Sequence, residues 1–328
     1  MHEARHQGDP DPRRIRLPQG VPRRTALPRR EDHRDLRGHQ RDPAARHRQP
    51  PAQGLSPRLV GIARYRKAPP HAVRISERDV LEAAQRIRAA EGAATFGRRE
   101  RKKALEVHRF GEQIVFALRG APRSRPLAIL DGACGKSHIS FVARLLVLPA
   151  LGIRARIVGV DEAPQRIATC RRIAGELELD DMEFHAASLA DVVLPGPVDV
   201  AWALHACGPA TDQFLDRAVA AGARWILCVP CCHRRIERGF EEAGVPACGR
   251  LRSRLSDVLL DAARFLRLEA AGYRVDAVEF AGGDITPRNL MLRAERTAAG
   301  RPPADAAARL ARLARLFPDL APSGPTAR

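Results

Sequence analysis

The stretch from Leu127 to Ser137, LAILDGACGKS, constrains the fold more than any other part of the chain. Apolar residues ending at Asp131 read as a buried strand. A turn of small residues follows, and an apolar run from Ile139 to Leu148 reads as a helix. Rossmann-like sheets hold nucleotides with such a unit, a buried strand that breaks into a Gly-containing turn and opens a helix. Small residues let the backbone approach a ligand closely, and the helix N-terminus offers unsatisfied N–H groups. The bland alternative is that Gly132 and Gly135 only shape a tight turn.

The turn is not the dinucleotide pattern G-x-G-x-x-G, because Asp131 precedes it and two of the three glycines are missing. An acid at the strand end, able to meet a cationic ligand, suits S-adenosylmethionine better than a pyrophosphate. The next predicted strand, Arg156–Asp161, also ends in an acid. There a carboxylate accepts hydrogen bonds from both ribose hydroxyls of a nucleoside cofactor; its other reading is a cap for the helix predicted from Pro164 to Leu177. A short strand, Met182–Ala186, places Ser188 or Leu189 against the adenine. The cofactor-binding set expected from this part of the chain is therefore Asp131, Gly132, Ala133, Cys134, Gly135, Lys136, Asp161 and Ser188.

At 328 residues the chain is long enough for one α/β domain with extensions. No apolar stretch approaches the roughly 20 residues of a membrane span, and the N-terminus lacks the apolar core of a secretory signal. Seven cysteines, two of them adjacent, do not form the pattern of a disulfide framework, so a reducing cytoplasm is the expected home. The formal charge is +18, and residues 1–72 hold 17 Lys/Arg against 7 Asp/Glu. A basic excess favours polyanions such as RNA through counterion release, although arginine-rich composition also arises in GC-rich genomes without selection for binding. No DNA partner is expected, and the sequence does not give the oligomeric state.

Residues 1–72 also carry 11 of the 26 prolines and six of the 11 histidines, with almost no apolar periodicity. Such a segment buries too little surface to offset its chain entropy. It reads as a disordered basic arm, a transit-like leader or the product of a mistaken start; the composition favours a disordered or spurious segment. Order is expected from Ser76, which with Asp79 makes a helix-start signal. A basic run, Arg98–Lys103, leads into a second helix whose apolar face includes Leu105, Phe110, Ile114, Val115 and Leu118. That run is either a solvated helix face or a phosphate-contacting lip beside the catalytic side. Residues 73–125 are thus a helical extension, 126–296 the cofactor domain, and 297–328 a tail with one amphipathic helix between Pro302 and Leu320. Further strands are expected at Val198–Leu204, Trp225–Val229, Tyr273–Phe280 and Asn289–Ala294. The last two are predicted to pair antiparallel, after a long helix Asp257–Ala271.

Two segments carry chemistry beyond the cofactor unit: ALHACGPATD, from Ala203 to Asp212, and VPCCH, from Val229 to His233. Functional groups of open α/β sheets gather at the carboxyl ends of strands. Neighbouring strands would bring His205, Cys207, Cys231, Cys232 and His233 into one small volume. Three readings stay open. His233 or His205 acts as a general base for a hydroxyl, with Cys231 and Cys232 shaping the pocket. The cluster holds zinc, although H-x-C and C-C-H are not usual zinc spacings, so no metal is expected. Or cysteines such as Cys207 and Cys228 are simply small buried residues. Asp212 is read as a helix cap or loop tie.

Together with TPRNLM, from Thr286 to Met291, these motifs resemble the bacterial class I methyltransferases of the methyltransferase-domain-32 type. More distantly they resemble the eukaryotic acceptor-stem tRNA 2′-O-methyltransferases. The likeness runs from about Arg98 to Ala294. It implies a Rossmann-like seven-stranded α/β sheet with helices on both faces. It also implies S-adenosyl-L-methionine bound around Asp131–Ser137 and Asp161, with His205 and Cys207 also among the cofactor-binding residues and the His/Cys segments at the acceptor end. Ala133 and Ser137 stand where the common turn has glycines, and the Cys/His-rich zinc modules that accompany the tRNA enzymes are missing. The resemblance implies methyl transfer, with RNA as the leading acceptor; a small-molecule methyltransferase or a non-catalytic binding module are the alternatives.

Overall fold

The computed structural model describes residues 73–93, 95–232, 236–297 and 305–321, with Cys232 described in its backbone alone. The reading of residues 1–72 lies outside the described residues. Among the described residues two helices, α1 (Glu77–Ala90) and α2 (Arg98–Leu118), come first. The start of α1 is the expected capping box: the Asp79 N–H donates to Ser76 Oγ at 3.1 Å and the Ser76 N–H to Asp79 at 3.4 Å.

Seven strands follow: β1 (Leu127–Gly132), β2 (Ala155–Asp161), β3 (Met182–Ala186), β4 (Val200–Cys207), β5 (Trp225–Cys232), β6 (Tyr273–Glu279) and β7 (Leu290–Arg296). They form one sheet in the order β3-β2-β1-β4-β5-β7-β6. The first five run parallel, and β7 lies antiparallel to both of its neighbours, β5 and β6. The order reverses direction between β1 and β4, so the loops after these two strands face each other across a crevice, where such sheets bind ligands.

Strand residues alternate between two cores, as the period of two requires. Leu127, Ile129, Ile157, Val200 and Trp202 face the layer made by α1, α2, α3 (His138–Val142) and α5 (Pro164–Glu176). Leu130, Val158, Ala201, Ala203 and Val275 face α6 (Pro209–Ala220) and α7 (Gly249–Ala270). The helix expected over Ile139–Leu148 is present but interrupted. After α3 it widens into a π stretch, Ala143–Val147, before a final turn α4 (Leu148–Ala150). Pro149 has no N–H to give and its ring crowds the carbonyl four residues back, which favours the wider turn.

The long helix α7 begins at Gly249, eight residues before the expected Asp257. The expected tail helix is narrower, α8 (Ala306–Leu316), followed by a 3₁₀ turn, Pro318–Leu320. Tertiary contacts account for both. A third core joins Ile236 and Phe240 to Leu259, Leu260, Phe317 and Leu320, and the added first turns of α7 meet the same segment: Arg252 stacks over the Phe240 ring and Ser256 Oγ accepts from the Ile236 N–H at 3.3 Å.

Candidate active site

The turn after β1 is built on a buried polar network. Asp131 is 1% exposed and accepts from Ser137 Oγ and Ser140 Oγ, both at 2.5 Å. Ser140 Oγ in turn accepts from the indole N–H of the fully buried Trp202 at 2.9 Å, tying the turn to β4. Burial outweighs these hydrogen bonds and raises the Asp131 carboxyl to about 6. Asp131 Oδ1 has no partner among the described residues. Within the turn Ala133, Gly135 and Ser137 all take left-handed backbone angles, with φ of 51°, 57° and 54°. Two of the three are non-glycine residues in a conformation glycine adopts freely, so the turn is held at a strain cost. Gly132 is needed for a different reason: a Cβ there would lie 2.3 Å from the Phe214 ring.

Asp161 closes the other side of the turn. Its Oδ2 accepts from the Gly135 N–H at 2.8 Å and its Oδ1 from the Ala163 N–H at 2.9 Å. Ala163, not Asp161, is the N-cap of α5, so Asp161 supports that helix start from two residues upstream. Each carboxylate oxygen keeps lone-pair capacity for a ribose hydroxyl. Ser188 follows β3, pairs with the Ala190 N–H at 3.1 Å and is part-buried beside buried Leu189. Cys134 is part-buried; the neighbouring Cys170 thiol and burial push its own thiol up, which leaves it unreactive. Lys136 points to the helical extension, where Glu91, at the end of α1, receives Lys136 Nζ at 3.3 Å, His138 Nε2 at 2.7 Å and the Arg88 guanidinium. Burial would raise Glu91, but these cationic and hydrogen-bonding partners together hold it at about 2.

The second half of the site sits where β4 and β5 end. Leu204 pairs with Val229 and Ala206 with Pro230, which leaves His205 as an extra residue on β4. Cys207 then pairs with Cys232, leaving Cys231 as an extra residue on β5. The two bulges compensate each other and push the side chains of His205 and Cys231 out of the regular alternation, as bulges beside active sites do. His205 takes φ 68°, a left-handed angle unusual for a strand. Cys207 Sγ and Cys231 Sγ approach to 2.9 Å. Cys207 is exposed, which corrects its reading as a small buried residue; Cys228 is fully buried and its thiol is pushed up to about 12 by burial, as that reading requires. His233 and the side chain of Cys232 lie outside the described residues. Among the described residues no group of three or more His, Cys, Asp or Glu side chains is placed to hold a metal ion.

His205 does not meet its partner in the motif region. Its Nε2 lies 2.5 Å from Glu106 Oε1, and Glu106 Oε2 receives Lys103 Nζ at 2.8 Å. Glu106 comes from α2 and is buried, and sequence reasoning missed it. The only signal was an acid on the inner side of an amphipathic helix, where a buried charge demands a partner. Asp212 is not a cap, since Gly208 is the N-cap of α6; instead it receives Arg264 and Arg267 of α7 at 2.9–3.2 Å.

Residues 102–239 match the family described as a methyltransferase domain. The match spans under half of the chain. The sheet of the chain is seven-stranded and mixed, and methyltransferase domains of the matched kind take their methyl group from S-adenosylmethionine. The chemistry of the strand-end residues is compatible with that cofactor: Asp131 Oδ1 is a buried acceptor with no partner among the described residues, and Asp161 lies against the same turn through the Gly135 N–H. The chain is also similar to a glutathione S-transferase C-terminal domain-containing protein homolog of Drosophila pseudoobscura pseudoobscura, 29% identical over 109 residues. That match covers 33% of this chain and only 17% of the relative.

Among solved structures, magnesium protoporphyrin IX methyltransferase from Synechocystis PCC 6803 with bound SAM aligns over 68% of this chain and 98% of its own, at 13% identity and a TM-score of 0.38. A putative rRNA-methylase from Clostridium thermocellum aligns over 52% and 87%, at 15% identity and a TM-score of 0.34. At those scores neither likeness bears on substrate. No helix among the described residues is long and apolar enough to cross a membrane.

Proposed function

We propose that this protein transfers the methyl group of S-adenosylmethionine to RNA, at a hydroxyl acceptor. The observation that carries the reading is the placement of α2. One end of that helix presents the exposed cations Arg98, Arg99, Arg101 and Lys102, and two turns later the same helix supplies Glu106 to His205. A cationic helix end beside the acceptor side of a methyl-transfer site fits a substrate with a phosphate backbone better than a small neutral one. The turn after β1 and Asp161 hold the cofactor, and the bulged ends of β4 and β5 receive the acceptor. The sulfonium already makes the methyl carbon electrophilic, so the chain's own residues supply proximity, alignment and removal of one proton.

The test is transfer of labelled methyl groups from S-adenosylmethionine into total RNA by the full chain. Label that nuclease digestion releases, and that appears on a ribose hydroxyl, is the expected result. Label found only in small metabolites would overturn the RNA assignment and leave methyl transfer standing.

A further inference from the structure

We propose that Glu106 is the positioning residue of His205, fixing the imidazole so that Nδ1 takes the proton of the acceptor hydroxyl. The inference rests on the methyl-transfer reading above and deepens it. It starts from the contact between α2 and the end of β4, which joins residues 99 positions apart at 2.5 Å. Glu106 is only 5% exposed, and each of its oxygens is engaged, one by His205 and one by Lys103. Burial works against its charge, but the hydrogen bond from His205 and the charge of Lys103 hold it at about 2, so it is a carboxylate at neutral pH. A carboxylate accepts and does not donate, so the ring nitrogen facing it carries the hydrogen. That fixes Nε2 as N–H and makes Nδ1 the lone-pair nitrogen of the neutral ring.

The remaining geometry agrees. His205 Nδ1 is buried and has no hydrogen-bond partner among the described residues, an arrangement that costs free energy unless a ligand completes it. His205 sits on a bulge at φ 68°, a strained setting for a strand residue that the fold maintains here. The carboxylate is anchored on its far side by Lys103, so the imidazole hydrogen-bonds to a group that is itself held in place. In the reaction an acceptor oxygen lone pair forms the bond to the methyl carbon. The carbon–sulfur bond breaks with its electron pair on sulfur, giving the neutral thioether. The hydroxyl proton passes to His205 Nδ1, and the resulting imidazolium lies against Glu106.

The experiment uses the full chain labelled with nitrogen-15 at histidine, wild type and Glu106→Gln, together with the labelled-methyl assay on total RNA. Wild-type His205 should show a protonated Nε2 and a bare Nδ1, and Glu106→Gln should lose that single tautomer. Turnover should fall by about 10²-fold, the scale of a general-base contribution. KM for RNA and calorimetric affinity for S-adenosylmethionine should be retained, and Glu106→Asp should recover part of the rate. Full turnover in Glu106→Gln overturns the proposal, as does a fall in rate matched by a fall in cofactor affinity and melting temperature. If wild type moves no methyl group to RNA, the functional reading falls, and the tautomer decides the positioning by itself: Nε2–H supports it and Nδ1–H overturns it.

Discussion

Asp131 is held where a carboxylate ionises reluctantly, and that has a measurable consequence. Its carboxyl is raised to about 6 by burial. A carboxyl raised in the folded state adds stability below its unfolded value, about 4, and that contribution is lost as pH rises through about 6. A cationic ligand reverses the preference, because it pairs with the ionised form. Affinity for S-adenosylmethionine is therefore expected to weaken as pH falls below about 6, by up to about ten-fold per unit. Calorimetric titrations at about pH 5 and about pH 7 check this, and Asp131→Asn should bind weakly at both. A wild-type affinity that is flat over that range would separate Asp131 from the cation. Asp161 carries a different load, since both its oxygens hold backbone N–H groups of the cofactor turn and the α5 start. Asp161→Ala should both weaken cofactor binding and lower stability by about 1–3 kcal/mol, the cost of orphaned buried donors; thermal melts and titrations read the two effects separately.

At the scale of elements, the ends of strands and helices decide more than their middles. The paired bulges at His205 and Cys231 turn two side chains out of the sheet while the ladder on either side continues in register. The C-terminal helix α8 shows how close such packing is. Gly239, at φ +91°, would place a Cβ 1.8 Å from the Leu316 carbonyl oxygen, and Asp319 accepts from the N–H groups of Glu237 and Arg238 at 2.8 and 3.0 Å. Those backbone hydrogen bonds hold the Asp319 carboxyl at about 2. Gly239→Ala is expected to cost at least about 2 kcal/mol, because backbone rather than a flexible side chain must move. Cofactor affinity should survive, since this packing is built around α7 and α8 rather than the cofactor turn. Chemical denaturation beside a cofactor titration distinguishes that outcome from a coupled loss.

Across the whole molecule, charge and topology act together. The cations at the start of α2 stand at a helix end whose dipole disfavours them, a local conflict of the kind found at functional sites. Replacing Arg98, Arg99, Arg101 and Lys102 by glutamine should weaken RNA binding. Its salt dependence should also flatten, by about 0.7 in slope for each phosphate that the variant no longer neutralises. An unchanged slope would show that RNA is held elsewhere.

Much of this architecture was legible from sequence. The apolar runs ending in Asp131 and Asp161 announced the first two strands, the Ser76 box announced α1, and the last two predicted strands were expected to pair antiparallel, as they do. Those signals are local: strand burial, turn chemistry and capping depend on residues a few positions apart, so a single sequence determines them. What it did not determine was that β7 inserts between β5 and β6, that His205 and Cys231 sit on compensating bulges, or that Glu106 reaches across 99 positions to His205. Each of these depends on which distant segments bury one another's polar groups, and only the packed structure chooses those partners.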